Sequence, residues 1–466
     1  MINRREFIKR AGSLAAVAAG AGSLPFISAC GGSQGDPSPS PSPTDKLPFL
    51  STESLEDIRA KIAHNGYTFT VDHNYEYDTH SQPKTTSPMP NPFTVPAPAD
   101  MILHPNTDEL LKPTGPLPAL WDWRNHNGHA YIGPTRDQGE TNICWCFSAI
   151  AAAECAYNVA HGLYDNNRVE LSELYLIFTV GAYKPYRDHY TGTALIAAND
   201  MNFYTFYALT KAGAPEGACG LEGSCRLNSF GFDPFYYLRP PTPELIEASK
   251  KFERFQLKRW ARVFPTNYAD TTEQIKVAIM KYGAVAASID HPAAFNAYKS
   301  GVYEDTVTMQ PDADPYYYAQ TEHAVALVGW DDNPPEGGGG CWILRNTYTN
   351  EPPWGEDGYI RIRYFSAKVN TQVAFIDGGP TAGPYSISGR CTLGTGAAAG
   401  VTLSLTGADT WVAMATGEGN YGLTGLADGK YRVTPSKSSY AFSPPYRDVT
   451  IAGASAPNCD FEVIAR

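Results

Sequence analysis

The sequence predicts an α+β fold: a large two-lobed domain, in which helices precede antiparallel strands, followed by a small all-β sandwich. In the first half of that domain, runs such as CWCFSAIAAAECAYNVAHG have the length and apolar pattern of helices. Later runs such as HAVALVGW and YIRIRYF are typical of strands. From residue 384 the strands become short and alternating, with Gly, Asp and Pro between them. A cleft between a helical lobe and a β lobe is where a site is expected.

Length and composition limit the classes of protein to consider. The chain has 466 residues, 43% hydrophobic and 12% aromatic, which is enough for more than one packed core. Its net charge of −12 argues against a nucleic-acid partner. No strongly apolar run is long enough to predict a membrane-spanning helix.

Residues 1–30 have the pattern of an export signal. NRREFIKR, with two adjacent arginines, precedes a mild Ala/Gly-rich stretch that ends in ISAC. This pattern resembles a bacterial twin-arginine signal with a lipoprotein cleavage box, which implies that Cys30 carries lipid. A buried N-terminal helix is the alternative, but the Pro/Ser-rich residues 31–48 that follow predict an extended linker. We therefore expect an exported protein of the bacterial cell envelope, held at a membrane surface by a lipid anchor.

Residues 49–117 are predicted to form an N-terminal extension with one helix. Ser54 and Asp57 make a capping box at its start, and Gly66 is a plausible stop. YTFTV follows as a strand, and residues 72–117 have loop composition. This extension is either a simple addition or a pro-segment that is trimmed near residues 115–121, where LPALWDWRN resembles a mature start.

Residues 118–380 form the predicted central domain. Four runs have helical patterns, and two of them end at Gly162 and Gly283: CWCFSAIAAAECAYNVAHG, VELSELYLIFTV, FYTFYALTKAG and TTEQIKVAIMKYG. Four later runs have strand patterns: AVAASID, HAVALVGW, CWILRNTY and YIRIRYF.

Cysteine usage follows from the predicted export. With Cys30 set aside, eight of the nine cysteines remain, and an oxidising compartment would allow all of them to pair. A working nucleophile among them would leave at least one other unpaired. Local disulfides are predicted for Cys219 with Cys225 and for Cys391 with Cys459. The pairing of the other structural cysteines stays open for Cys146, Cys155 and Cys341. A metal site at Cys219 and Cys225 is disfavoured because no histidine pair lies nearby, and no cofactor is predicted.

Cys144 is the first candidate for chemistry. It stands in the first turn of a predicted helix, where unpaired N–H groups and the helix dipole favour a thiolate over a thiol. A buried structural cysteine is the alternative, so the assignment needs a partner.

His323 is the histidine with the most distinctive setting. It begins a buried strand, and pairing residue 330 with residue 341 makes a hairpin in which 323 lies opposite 348. Asn346 is then one diagonal position away on the same face. The other histidines lie in the extension, in loops or at helix ends: His64, His73, His80, His104, His126, His129, His161, His189 and His291.

Five segments resemble, in order, the landmarks of papain-like cysteine peptidases. They are QGETNICWCFSA, LSELYL, GAVAASIDHPAAFNAYKSGVY, HAVALVGW and NTYTNEPPWGEDGYIRIR, within residues 118–364. The resemblance implies Cys144 as the nucleophile, His323 as the proton carrier and Asn346 as the group that orients its imidazole. It also implies Gln138 as a donor to the oxyanion.

The sequence departs from the family pattern at several places. Thr141 stands where a disulfide cysteine is usual, and Tyr348 replaces the indole that shields the His–Asn pair. Tyr348 and Glu322, which directly precedes His323, are predicted to border the substrate pocket, and Glu322 would tolerate basic side chains there.

The sequence therefore predicts an exported cysteine endopeptidase that acts on proteins or peptides. One alternative is a binding lipoprotein with a vestigial peptidase fold, and another is an exopeptidase or transpeptidase on the same triad. Residues 384–466 contain no histidine and resemble transthyretin-like or carboxypeptidase-regulatory modules, which implies a spacing or binding role. Cleavage preference and oligomeric state stay open.

Overall fold

The computed structural model describes most of the protein that follows the predicted linker. The described residues are 46–80, 105–138, 144–171, 214–215, 254–255, 258–306, 323–348, 353–370, 373–380 and 382–465. The predicted signal with Cys30, the cysteines at 219 and 225, Glu322 and the helix predicted at 203–213 lie outside these ranges, as does most of VELSELYLIFTV. Within the described part, no helix has both the length and the apolar character that a bilayer crossing requires.

The elements before residue 380 comprise helices and mostly short strands. The helices are α1 (Leu55–Asn65), α2 (Tyr75–His80), α3 (Cys144–His161), α4 (Thr271–Tyr282) and α5 (Ala293–Asn296). The strands are β1 (Thr70–Val71), β2 (Leu120–Asp122), β3 (Ala214–Pro215), β4 (Arg254–Phe255), β5 (Arg259–Arg262), β6 (Val285–Ile289), β7 (Tyr298–Ser300), β8 (Val302–Tyr303), β9 (His323–Asp331), β10 (Cys341–Arg345), β11 (Tyr359–Arg363) and β12 (Val373–Asp377).

The N-terminal segment begins as predicted and then departs from the prediction. Ser54 caps α1 with its hydroxyl, which accepts the Asp57 N–H at 3.0 Å, and Gly66 ends the helix with a φ of 70°. Strand β1 is shorter than YTFTV and pairs with β7. The expectation of loop after residue 72 is wrong for α2, where Asn74 Oδ1 accepts the Tyr77 N–H at 2.9 Å. An aspartate or asparagine cap in a polar stretch is a weak signal, because the same residues also favour turns.

The central domain is built on one mixed sheet. Its order is β5-β12-β6-β9-β10-β11-β8, with β2 added beside β9. Helix α3 packs against β6, β9 and β12, and its alanines let the backbones approach closely. A Cβ added at Gly378, just after β12, would lie 2.4 Å from the Ala156 carbonyl carbon of α3. The predicted ends of α3 and α4 are confirmed, since Gly162 and Gly283 follow them with positive φ.

The hairpin of β9 and β10 carries the predicted His–Asn pair. At the turn end, Trp330 pairs with Trp342, one residue away from the predicted register. A bulge between Ile343 and Leu344 then shifts the pairing, and Leu344 lies opposite Leu327 in the predicted register. The register is therefore correct at the end of the hairpin where the site lies.

Residues 105–111 pack against α4 and the C-terminal region. Thr107 Oγ1 donates to Gln274 Oε1 of α4 at 2.6 Å, and the Asn106 N–H donates to Thr402 Oγ1 at 3.2 Å. Leu110 and Leu111 are buried in the core. This stretch is thus part of the packed body, although its sequence has loop composition.

The C-terminal region consists of short strands in two sheets. The strands are β13 (Tyr385–Leu393), β14 (Gly396–Ala397), β15 (Thr402–Gly407), β16 (Trp411–Met414), β17 (Asn420–Leu426), β18 (Gly429–Ser436), β19 (Tyr440–Ser443), β20 (Arg447–Ile451) and β21 (Phe461–Ala465). One sheet has the order β14-β13-β21-β19 with β17 beside β13, and the other has the order β16-β15-β18-β20. Tyr431, Val433 and Pro435 of β18 alternate inward, as a strand with one buried face requires.

The predicted disulfide between Cys391 and Cys459 is wrong in this structure, where both residues are thiols. Strands β13 and β21 are parallel, and Cys391 lies opposite Phe461 and not opposite Cys459. The Cys459 Sγ instead lies 3.7 Å from the Ala456 carbonyl oxygen of its own loop. The register therefore separates two cysteines that the order of the strands had suggested as neighbours.

The C-terminal region packs directly on the central sheet. Trp411 of β16 meets the rings of Tyr282 and Phe375 at 6.2 and 5.9 Å between centroids. The Arg259 guanidinium lies 4.1 Å from the Trp411 ring centroid and donates to Asp409 at 2.8 Å. Lys258 adds a second ion pair with Asp409 at 2.9 Å. We call Lys258, Arg259, Asp377, Asp409 and Trp411 the docking cluster.

Candidate active site

Cys144 is the first residue of α3, as predicted, and is 5% exposed. The first turn of this 18-residue helix contains no acidic residue, so the helix dipole acts on the sulfur without a nearby opposing charge in that turn. One turn later, Ser148 Oγ donates to the Val325 carbonyl of β9 at 2.6 Å. This bond fastens the start of α3 to the strand that carries His323.

His323 and Asn346 meet at the end of the hairpin away from its turn. His323 Nε2 lies 2.7 Å from Asn346 Oδ1, and both side chains are almost fully buried. An amide oxygen can only accept, so Nε2 carries the proton and Nδ1 is the nitrogen that can take one up. The predicted diagonal pair is thus confirmed, with the bond that fixes the imidazole tautomer.

Aromatic rings enclose the His–Asn pair. The Tyr348 ring stacks on the His323 imidazole at 5.0 Å and 17°. The Trp354 indole packs edge-on against Tyr348 at 5.7 Å, and Phe295 of α5 lies 6.3 Å from His323. Burial raises the pKa of Tyr348 well above its usual value, and the charges of Glu76, Cys144 and Asp137 add to this effect. Tyr348 therefore stays neutral and keeps water from the His–Asn bond.

Gln138 comes from the loop before α3 and is 5% exposed. Its N–H donates to the Thr347 carbonyl at 3.0 Å, and its side-chain Oε1 accepts the Thr347 hydroxyl at 2.5 Å. In the same loop, Arg136 forms an ion pair with the buried Glu154 of α3 at 2.9 Å. These contacts position the loop relative to the helix.

The structure adds residues near the site that the sequence did not single out. His291, which has an undistinguished sequence setting, lies with its ring perpendicular to that of His323 at 5.3 Å. Thr347, Phe295 and Trp354 contact the predicted site residues directly. The tryptophan after two prolines in EPPWGEDGY could have been predicted from the sequence to be a buried residue. The sequence around His291 and Phe295 gave no comparable indication. For Tyr348 and Glu322, the pocket assignment stays a prediction.

Comparisons with known proteins agree with the family that the motifs indicate. A family model described as papain family cysteine protease matches residues 117–181 and 245–375. Digestive cysteine proteinase 2 of Homarus americanus is 27% identical over 253 residues, which are 54% of this chain and 63% of that protein. A cysteine proteinase of Trypanosoma brucei brucei is 26% identical over 256 residues, 53% of this chain and 44% of its own length. A procathepsin L 3 from the larval midgut of Tenebrio molitor aligns with a TM-score of 0.44 and 18% identity, over 69% of this chain and 89% of that chain.

The two matched segments contain the four residues that the motifs single out. Cys144 and Gln138 lie in the first segment, and His323 and Asn346 lie in the second. The alignments span less than two thirds of the length of either curated relative. The match over residues 117–181 and 245–375, together with these relatives, supports a papain-like cysteine peptidase in this part of the protein.

Proposed function

We propose that the domain at residues 118–380 hydrolyses peptide bonds in proteins or peptides through Cys144. The Cys144 thiolate attacks the carbonyl carbon, and the oxyanion receives hydrogen bonds from the Gln138 amide and the Cys144 N–H. The His323 imidazolium gives its proton to the leaving amine, and a thioester remains on Cys144. His323 then takes a proton from water, which attacks the thioester and releases the acid and the thiolate.

One observation favours this proposal over the alternative functions. The 2.7 Å bond from His323 Nε2 to Asn346 Oδ1 is buried beneath Tyr348, so the imidazole is held in one tautomer. A domain with a vestigial site would have no need to keep this bond, the helix-start cysteine and the glutamine together. Endopeptidase activity is preferred over exopeptidase or transpeptidase activity, because nothing in the described residues offers an element that binds a peptide terminus or an acceptor.

Selective alkylation tests the proposed nucleophile. Burial raises the pKa of Cys155 and of Cys341 to about 12, so these thiols are almost fully protonated at neutral pH. We expect iodoacetamide at pH 6–7 to stop hydrolysis of a denatured protein in proportion to the label on Cys144, as mapped by mass spectrometry. Loss of turnover with the label on another cysteine would contradict the assignment. Efficient labelling of Cys144 in a protein without turnover would favour the binding lipoprotein.

We further propose that residues 49–117 restrain or assist the peptidase as a pro-segment, and the contacts of residues 49–80 support this. Strand β1 pairs with β7, and the Asp72 N–H donates to the Ala297 carbonyl at 2.9 Å. Asn74 Nδ2 donates at 2.9 Å to the Asn296 carbonyl, which also accepts the Trp354 indole N–H at 3.0 Å. The segment therefore shares an acceptor with the aromatic ring that supports Tyr348.

Aromatic packing adds to the docking of this segment. The rings of Phe69 and Tyr303 lie 4.8 Å apart, and Phe49 packs edge-on against Phe69 at 5.9 Å. A Cβ added at Gly301 would lie 2.9 Å from the Phe69 Cα, so the backbones are in close contact. Lys46 also forms an ion pair with Glu304 at 3.0 Å. The contact thus combines aromatic packing with polar bonds, of which the Asn74 bond is buried.

Replacing Phe69 with alanine should raise the activity of the uncut protein, because it removes a ring that is 2% exposed from the docking contact. Thr68→Ala is the matched control, since the adjacent Thr68 is exposed. We expect the initial rate on a small peptide to rise severalfold for Phe69→Ala alone and to approach that of a protein trimmed before the peptidase domain. Equal rates for the uncut wild type and the trimmed protein would contradict an inhibitory role.

For the remaining parts of the protein, we propose export with a lipid on Cys30. The twin arginines and the ISAC box support this, and recovery of Cys30→Ser in the soluble fraction with the wild type in membranes would test it. We infer that the two C-terminal sheets form the small β-sandwich module, with a spacing or binding role. Their alternating strands and the lack of histidine in residues 384–466 support this assignment.

A further inference from the structure

The central domain and the C-terminal region share one hydrophobic core. Their buried apolar side chains form a single continuous cluster, and Trp411 of β16 connects the two parts. Its ring meets Tyr282, the last residue of α4, and Phe375 of β12, and these two rings also stack on each other at 5.0 Å. Domains that fold independently usually have a core each. A shared core therefore indicates that the two parts stabilise each other.

The charged side chains of the docking cluster are largely shielded from solvent. Those of Lys258, Arg259, Asp377 and Asp409 are between 10% and 16% exposed. Arg259 Nε donates to Asp377 Oδ2 at 3.0 Å, and its Nη2 donates to Asp409 Oδ1 at 2.8 Å. The guanidinium thus bridges the central sheet and the C-terminal region. Because Asp409 has its basic partners across this contact, a change in orientation would leave a shielded carboxylate without them.

The short connection between β12 and β13 is tightly packed at both ends. A Cβ added at Gly378 would lie 2.4 Å from the Ala156 carbonyl carbon of α3. At the other end, a Cβ added at Gly383 would lie 2.4 Å from the Leu426 carbonyl oxygen of β17. Glycine permits such close approach of two backbones. A flexible spacer would need no such contacts, so the connection holds the two parts together.

Two further features define where this contact acts. The Asn106 N–H donates to Thr402 Oγ1 of β15 at 3.2 Å, so a second segment of the chain crosses to the C-terminal region. Ala156 follows Cys144 by twelve residues, which is about 18 Å along a helix. The close approach at Gly378 therefore supports the nucleophile helix from the end opposite to the sulfur.

We propose that the C-terminal region is a brace of the central domain, and that the two unfold as one cooperative unit. The docking cluster is the contact surface, and its partner is formed by β5, β12 and the end of α4. The cysteines of both parts that the structure describes are thiols. The contact would thus give the stabilisation that disulfides give in many secreted proteins. This role replaces the spacing role, is compatible with a binding role and does not depend on the peptidase activity.

Hydrogen exchange of the full chain in increasing denaturant tests this proposal. Mass spectrometry follows peptides from α4 and β12 in the central domain and from β15 and β18 in the C-terminal region. We expect all four to reach fast exchange at the same denaturant midpoint, because they belong to one unit. Separate midpoints for the two parts of the wild-type protein would overturn the brace.

Asp409→Lys reverses the charge that faces Lys258 and Arg259. We expect exchange in β12 and β15 to quicken by about 10- to 100-fold and the midpoints of the two parts to separate, because three shielded cations would lie together. Asp448→Lys is the matched control, since Asp448 pairs with Arg432 within the C-terminal region and its side chain is 63% exposed. This control should exchange like the wild type.

Equal exchange in the two charge-reversal variants would overturn the role of the docking cluster. If Asp409→Lys does not fold, Asp409→Asn is measured against Asp448→Asn, and faster exchange in β12 and β15 is expected for Asp409→Asn alone. No difference between these two milder variants would overturn the proposal in the same way.

Discussion

Replacing Cys144 with alanine should lower kcat for peptide hydrolysis by about four orders of magnitude or more. The reason is that the sulfur forms the bond to the substrate carbonyl, and neither His323 nor Gln138 can take its place. Substrate binding should persist, since the cleft keeps its shape. The measurement is steady-state hydrolysis of a fluorogenic peptide by proteins purified in parallel.

Cys146→Ala is the matched control for this variant. Cys146 lies on the same helix and is fully buried, so its removal tests the cost of losing a thiol from α3 without touching the nucleophile. We expect wild-type kcat/KM and a small loss of stability from the cavity. Turnover by Cys144→Ala that survives repurification, or an equal loss in Cys146→Ala, would contradict the assignment.

Trp411→Ala should destabilise the protein by about 3–5 kcal/mol, which is the usual cost of removing a buried tryptophan side chain. Trp411 is 7% exposed and joins the C-terminal region to Tyr282 and Phe375 of the central domain. Its loss would also remove the cation–π contact with the Arg259 guanidinium. Chemical denaturation gives the free energy of unfolding, and Thr410→Ala, at the neighbouring residue, is the control.

The same docking cluster should weaken in acid. Burial alone would raise the pKa of Asp409, but the hydrogen bonds and charges of Arg259 and Lys258 hold it below its usual value. A depressed carboxylate pKa contributes stability that is present above about pH 4 and is lost as the pH falls through the lowered value. Asp409→Asn should remove that dependence. Identical acid profiles for Asp409→Asn and the wild type would show that the ionisation of Asp409 does not contribute to stability.

The sequence predicted those residues of the site whose positions depend on local structure, namely one hairpin and one helix start. His323 and Asn346 are joined by one hairpin, and strand alternation alone places them on one face. Cys144 was predictable because a helix start has a recognisable pattern. These three positions needed no knowledge of how distant elements pack.

What the sequence did not show depends on packing between distant elements. The bond between Thr347 and Gln138 joins residues 209 positions apart, and neither segment alone shows that the two side chains meet. Trp411 and Arg259 are likewise ordinary until the two sheets meet. The disulfide prediction failed for a related reason, since two cysteines in adjacent strands pair only if the register places them opposite each other. The short strands were visible in the sequence, and the register across the parallel pair of β13 and β21 was not.

The packing of residues 105–111 bears on where the proposed trimming of the N-terminal segment could occur. Thr107 and Leu111 have no exposed surface, and the Asn106 N–H donates to Thr402 of the C-terminal region. A polypeptide that starts at residue 118 would expose the surface of α4 that residues 105–111 cover. It would also leave the Gln274 side chain without the Thr107 hydroxyl that it binds. A polypeptide that starts at residue 105 would shed α1 and α2 and keep its new terminus held between helix and β15. If the N-terminal segment restrains the peptidase as proposed, the position of the cut therefore decides whether its removal also disturbs the packed body.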